Sequence, residues 1–199
     1  MTPQAESILD LFRATGAYLQ GHFQLTSGLH SGEYLQSALV LQHPRAAERL
    51  GQLIAEQLKP SIVGLATLVV SPALGGMIIG HEVARALGAR HIFTERDPAT
   101  GKMALRRGFA VKSDDRVVVV EDVITTGGTT KDAIELVRQA GAEVLRAASI
   151  IDRSGGHVDV GVPRVALVTM QVSAHYPAEC PLCAQGIPAV KPGSRPARV

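Results

Sequence analysis

A chain of 199 residues with 46% hydrophobic content is long enough for one well-filled domain with small additions. A formal net charge of +2, an aromatic share of 4% and the absence of Trp exclude a broad basic field and a base-stacking platform, so neither nucleic acid nor a membrane surface is implied. Met1 to Asp10 has no basic region before an apolar run, and two cysteines are too few for a disulfide framework, so a reducing cytoplasm is expected.

The first predicted element is a helix capped by Thr2-Pro3, with Ile8, Leu11 and Phe12 on one face and Gly16 as its stop. Gly21 to Gln36 follows, where Phe23 and Leu25 alternate before Ser27-Gly28 and Ser31-Gly32; this reads as a strand and turns. Pro44 to Leu58 is an amphipathic helix with Ala47, Leu50, Ile54 and Leu58 aligned and Pro60 closing it. Ser61 to Gly80 carries no charge and is long enough to span a bilayer, but Pro72, Gly75 and Gly76 interrupt it. It reads instead as a buried strand over Thr67 to Val70, a turn, and a helix running to Leu87 with Gly88 as its stop.

His91 to Thr94 is a short predicted strand, and Glu95 to Lys102, with Asp97-Pro98 and Thr100-Gly101, is predicted to be an exposed, mobile loop. Val117 to Val120 is four β-branched residues in a row, the pattern of a strand covered on both faces. A helix from Lys131 to Ala140, a strand from Val144 to Ile151 and a strand from Val165 to Val172 complete a β/α alternation that predicts a mostly parallel sheet flanked by helices. The tail from Pro177 is rich in Pro and Gly.

Chemistry concentrates after the valines. Glu121 and Asp122 are expected at the carboxyl edge of the sheet, where ligand crevices of α/β folds lie. In Thr125-Thr126-Gly127-Gly128-Thr129-Thr130, small residues leave backbone N–H groups uncovered at a helix start, which is a phosphate cradle. The chain has neither the Walker pattern nor the dinucleotide fingerprint. An acidic pair before such a loop suits a ligand with hydroxyls close to its phosphate, such as a ribose 5-phosphate. Residues Glu121 to Thr130 resemble the phosphoribosyl-diphosphate (PRPP) motif of type I phosphoribosyltransferases.

A PRPP site also needs a diphosphate binder, and Pro72-Ala73-Leu74-Gly75-Gly76, between a buried strand and a helix, can supply one. Arg96, Lys102, Arg106 and Arg107 can offset the leaving group's charge together with Mg2+ held mainly by PRPP, with no protein side chain assigned to a metal. Glu121 and Asp122 can hold ribose hydroxyls and favour positive charge on the sugar. Asp152-Arg153 ends the next strand, and a guanidinium there suits a planar base bearing a carboxylate. Cys180-Pro181-Leu182-Cys183 offers half a tetrahedral zinc site; His175 is near in sequence and a dimer could pair two such runs, but the expectation is a structural turn with two reduced thiols. The seven histidines show no ligand spacing, and His81 and His91 are expected to be partly buried packing residues.

Phe23 to Gly28, Leu105-Arg106-Arg107-Gly108-Phe109, Glu121 to Gly128, Ile151 to Gly156 and Cys180 to Cys183 together resemble bacterial orotate phosphoribosyltransferases. The resemblance implies transfer of phosphoribosyl from PRPP to orotate in pyrimidine synthesis, with magnesium, by a homodimer whose mobile loop reaches the neighbouring site. It implies one domain over 1–199, with an N-terminal hood region (1–40), an α/β core (60–175) and a tail (176–199). Carried over, it assigns PRPP to Ala73, Leu74, Gly75 and Gly76, to Arg96 and Lys102, and to Glu121, Asp122, Val123, Ile124, Thr125, Thr126, Gly127, Gly128 and Thr129. Orotate falls to Thr125 and Arg153, and catalysis to Lys102, Glu121 and Asp122. The family pattern has Lys where this chain has Thr26 and Gly75. A transferase for another base and a PRPP-sensing regulator are the alternatives; such regulators generally carry a basic DNA-binding segment, and the small net charge of this chain argues against the second.

Overall fold

The computed structural model describes residues 2–25, 28–62 and 65–192. They form two compact units: one spans Leu41–Met170, and the other joins residues up to Val40 with those from Gln171 onward. In chain order come α1 (Pro3–Ala14), β1 (Tyr18–Gln24), β2 (His30–Leu35), α2 (Ser37–Leu41), α3 (Pro44–Ile62), β3 (Leu68–Pro72), α4 (Gly76–Leu87) and β4 (Arg90–Arg96). They are followed by β5 (Met103–Leu105), β6 (Arg116–Ile124), α5 (Gly128–Gln139), β7 (Glu143–Asp152), β8 (Arg164–Thr169), β9 (Ala174–His175), a 3₁₀ turn (Pro177–Glu179) and α6 (Pro181–Ala184).

The larger unit is built around β6. Val117, Val118, Val119 and Val120 are all fully buried, which a strand achieves only when both faces are covered. Alternation sorts them. Val117 and Val119 join Leu68 and Val70 of β3 and Ala133, Ile134 and Val137 of α5 in one apolar cluster. Val118 and Val120 face the opposite side, where α4 approaches so closely that a Cβ on Gly76 would lie 3.0 Å from the Val120 carbonyl. The six strands run in the order β5-β4-β3-β6-β7-β8, parallel except for β5, which pairs antiparallel with β4. This is the mostly parallel, helix-flanked sheet that the sequence predicts.

Several elements depart from their predicted extents; α5 begins at Gly128 rather than Lys131, and β8 ends at Thr169 rather than Val172. α3 continues through Pro60 to Ile62. The proline stands in the last turn, where it removes a single hydrogen bond, and Ile62 is buried one turn beyond Leu58, so the longer helix keeps an apolar contact. The segment expected as a loop over Glu95 to Lys102 is part of a hairpin: Glu95 and Arg96 belong to β4 and pair with Ala104 and Met103 of β5. Only the tip is a turn, closed by Asp97 N–H donating to the Lys102 carbonyl (2.8 Å) and by Asp97 Oδ1 accepting from Ala99 and Thr100 N–H. β6, finally, runs past the valines to Ile124.

In the smaller unit, Thr2 caps α1 by accepting from Ala5 N–H (3.2 Å), Phe12 is fully buried, and the helix gives way to Gly16 at φ 67°. β1, β2 and β9 form an antiparallel sheet in the order β1-β2-β9. Thr26 and Ser27 of the family-like stretch lie outside the described residues. Among the described residues, no helix is long and apolar enough to cross a membrane.

Candidate active site

β3 and β6 are neighbours, but the chain leaves them in opposite directions: β3 leads through α4 to β4, and β6 leads through α5 to β7. The connections after these two strands therefore diverge and open a crevice at the carboxyl edge of the sheet. The segments 73–76 and 125–129 are these two connections.

Because β6 continues to Ile124, Glu121 and Asp122 are successive strand residues and point to opposite faces. Glu121 accepts a short hydrogen bond from the Thr130 hydroxyl in the first turn of α5. Asp122 faces the other connection, with its carboxylate oxygens 2.6 and 2.8 Å from the point where Gly75 would carry a Cβ. One acid is thus set towards each loop. Burial pushes the Glu121 carboxyl up to about 7; the Thr130 bond and Arg96 oppose this, while the neighbouring Asp122 charge adds to it.

The loop after β6 is shaped by Gly127, which adopts φ 73° and whose Cβ would lie 2.5 Å from Val158 Cγ1. Only glycine fits there without displacing Val158. The first helical hydrogen bond of α5 is donated by Lys131 N–H to the Gly127 carbonyl (2.9 Å), which leaves the N–H groups of Gly128, Thr129 and Thr130 outside the helix ladder. Thr125, Thr126 and Gly128 are exposed, Val123 is half-buried, and Ile124 is buried. The loop after β3 starts with Ala73 N–H donating to the Thr94 carbonyl (2.8 Å), passes the cis Ala73–Leu74 peptide, exposes Leu74, and enters α4 at Gly76 with no side-chain cap.

The four candidate cations separate. Arg96 is held, donating to Asp132 Oδ2 of α5 (2.9 Å) and to the Gly101 carbonyl (3.0 Å). Arg107 pairs with Glu95 (2.9 Å) and lies over the Phe93 ring. Lys102, just before β5, and Arg106, just after it, are exposed.

Arg153 follows β7, beside β6, and its N–H donates to the Ile124 carbonyl (2.8 Å), which sets it next to the start of the phosphate-type loop. Asp152 has a different place. It is fully buried, and although burial alone would raise its pKa, hydrogen bonds from Ser154 and Arg164 (2.5 Å) hold the carboxyl below its usual range. It braces the turn on which Arg153 stands. His81 and His91 pack edge to face with centroids 5.9 Å apart, and His91 Nε2 meets the Ser71 hydroxyl at 2.7 Å.

Sequence reasoning missed three participants. Thr130 is the partner of Glu121, and a hydroxyl nine residues after an acid carries no signal until the strand and helix are placed. Asp132 holds Arg96, and Val158 packs against Gly127; both contacts join separate elements.

A phosphoribosyl transferase domain model matches residues 38–175. The chain is 50% identical to the orotate phosphoribosyltransferase of Heliobacterium modesticaldum over 96% of its length and 98% of the relative's, and 51% identical to that of Carboxydothermus hydrogenoformans over 93% and 95%. The fold is that of the orotate phosphoribosyltransferase of Aeropyrum pernix, a solved structure with a TM-score of 0.67 at 24% identity, covering 81% of this chain and 93% of that one. The two loops, the acids between them and these relatives lead to one assignment: the chain belongs to the orotate phosphoribosyltransferase family.

Proposed function

We propose that this protein transfers the phosphoribosyl group of PRPP to orotate, giving orotidine 5'-monophosphate and diphosphate in pyrimidine biosynthesis. The observation that carries the reading is the pair of main-chain loops diverging from β3 and β6, with one carboxylate set towards each. Orotate as the acceptor is supported by the relatives, which share about half of their residues with this chain.

In this reading the uncommitted N–H groups at the start of α5 and the hydroxyls of Thr125, Thr126 and Thr129 hold the 5-phosphate. The loop over Ala73, Leu74, Gly75 and Gly76 faces the diphosphate. Glu121 and Asp122 hold the ribose hydroxyls, and their charge favours the cationic sugar that forms as the C1–oxygen bond to diphosphate breaks and a ring nitrogen of orotate bonds to C1, its N–H proton passing to the departing diphosphate or to water. Arg153 forks onto the orotate carboxylate, with Thr125 beside it. Lys102 and Arg96 meet the diphosphate from the hairpin, and Arg96 leaves Asp132 to do so.

Two carboxylates at an open crevice are hard oxygen donors and suit a magnesium ion carried largely by the substrate's own phosphates. Among the described residues, the cluster of three or more candidate ligands lies elsewhere, in the smaller unit. Magnesium would offset charge on the diphosphate. A homodimer in the cytoplasm completes the proposal; it is supported by the family pattern and by the cysteine usage of the sequence.

The test is the loss of orotate's ultraviolet absorbance on mixing with PRPP and magnesium. The parent consumes orotate, and Arg153→Ala slows turnover about 10- to 100-fold through the lost charge-assisted bonds. Unchanged orotate together with retained PRPP binding would reassign the acceptor to another base.

A further inference from the structure

Outside the crevice, four metal-type ligands converge in the smaller unit. His22 of β1, His30 of β2, Cys180 and Cys183 place one nitrogen or sulfur each within 4.8 Å of all the others. His22 Nε2 stands 2.8 Å from His30 Nδ1, 3.4 Å from Cys180 Sγ and 3.7 Å from Cys183 Sγ, and Cys183 Sγ lies 3.2 Å from His30 Nδ1. Zinc bonds of about 2.0–2.1 Å to nitrogen and about 2.3 Å to sulfur give tetrahedral ligand–ligand edges of roughly 3.3–3.8 Å. Three of the four separations lie at or close to that range, and the nitrogen–nitrogen contact is somewhat shorter.

A network of hydrogen bonds does not account for this convergence. His22 Nδ1 lies 2.6 Å from the Ile187 carbonyl, which can only accept, so Nδ1 carries the proton and Nε2 presents its single in-plane lone pair. That lone pair can accept one hydrogen bond, yet His30 Nδ1, Cys180 Sγ and Cys183 Sγ all crowd around it. His22, His30 and Cys180 are buried, so water does not reach them freely. A cation at the centre uses all four lone pairs together, and the Ile187 carbonyl is the outer partner that orients a metal-bound imidazole.

We infer that His22, His30, Cys180 and Cys183 bind a structural zinc ion. Two nitrogens and two sulfurs in a closed, mostly buried set are the donor chemistry of tetrahedral zinc rather than of magnesium. The site pins the tail to the β1–β2 hairpin, where the chain already laps along β1 through Gln24 N–H to the Val190 carbonyl and Val190 N–H to the His22 carbonyl (2.8 Å each). His175 pairs in register with His30 on β9 and is not among the four converging residues.

The experiment is metal analysis of the full-length protein purified under reducing conditions, with Cys183→Ser, His22→Ala and His175→Ala alongside. The expected result is one zinc per chain in the parent and in His175→Ala, and loss of at least nine-tenths of it in the other two. Because a ligand variant can fail to fold, the parent is also stripped with chelator and refilled with cobalt(II), which must give thiolate-to-cobalt charge-transfer bands and the visible bands of tetrahedral cobalt. Zinc retained by Cys183→Ser, or a reduced parent that takes up neither metal with thiolate bands, overturns the site.

Discussion

In the sheet unit, the groups around the crevice come from short contiguous runs: 73–76 after β3 and 121–130 across the end of β6 and the start of α5. Many of their expected contacts are main-chain N–H groups, placed wherever a parallel strand passes into a helix. In the smaller unit, the His–Cys set draws on residues 22, 30, 180 and 183, and it consists wholly of side chains. The first kind of site is written locally, because strand, turn chemistry and helix start are local properties. The second exists only after a hairpin has formed and the far end of the chain has come back to it. Variants should separate the two: crevice changes act on turnover, and cluster changes act on metal content and on how the tail is held.

The largest expected effect belongs to Glu121. If Glu121 faces the developing sugar cation as proposed, Glu121→Gln removes that negative charge and should lower kcat/KM for PRPP about 100-fold or more. The same variant tests the burial of that acid. In the ligand-free fold the carboxyl titrates at about 7 instead of 4.5. Below pH 4.5, folded and unfolded chains both hold the proton; between 4.5 and 7 only the folded chain keeps it, so stability falls as pH rises through this window. The total is roughly 3 kcal/mol as an upper figure. Melting curves at pH 5 and pH 7.5 should show the parent losing stability relative to Glu121→Gln as pH rises; parallel behaviour would place the acid in water.

A smaller effect separates fold from ligand within a single pair of glycines. Gly127→Ala forces an L residue to φ 73° and a Cβ into Val158, so it should destabilise by about 1–3 kcal/mol as well as weaken phosphate binding. At Gly128, φ is not positive and the nearest atom to an added Cβ is Thr126 Oγ1 at 3.8 Å. Gly128→Ala should therefore keep stability to within about 0.5 kcal/mol and act only on the phosphate. Denaturant midpoints beside PRPP affinities distinguish the two. Equal loss of stability in both would mean that the loop is held by something other than the Gly127 contact.

Much of the fold was legible because its signals are local. Val117 to Val120 announced a doubly covered strand, and Gly88 and Gly16 marked helix ends that the structure keeps, at φ 69° and 67°. The hairpin of β4 and β5 was not legible: Met103–Leu105 is three residues long, too short for alternation to register, and it pairs with a strand whose last two residues are polar. The opposite facing of Glu121 and Asp122 was implicit in the period of two, but only once β6 is known to continue past the valines. For the His–Cys set, the spacing between His22 and Cys180 is set by the whole intervening chain, and the sequentially nearer His175 is the wrong partner. No local pattern can select it.

The smallest expected effect sharpens the role of the hairpin. Arg96 and Asp132 are both about half exposed, and an ion pair in that setting contributes under about 1 kcal/mol. Asp132→Ala should therefore leave the denaturation midpoint almost unchanged. Its effect on PRPP should have the opposite sign to that of any crevice variant. If Arg96 must leave Asp132 to reach the diphosphate, removing the competing carboxylate frees the guanidinium and deletes a negative charge near an anionic ligand, so PRPP affinity should rise a few-fold. Salt should shrink this gain, since both contributions are exposed electrostatics. An affinity that stays constant or falls would mean that Arg96 does its work on Asp132, joining the hairpin to α5, and that Lys102 and Arg106 carry the contact with the diphosphate.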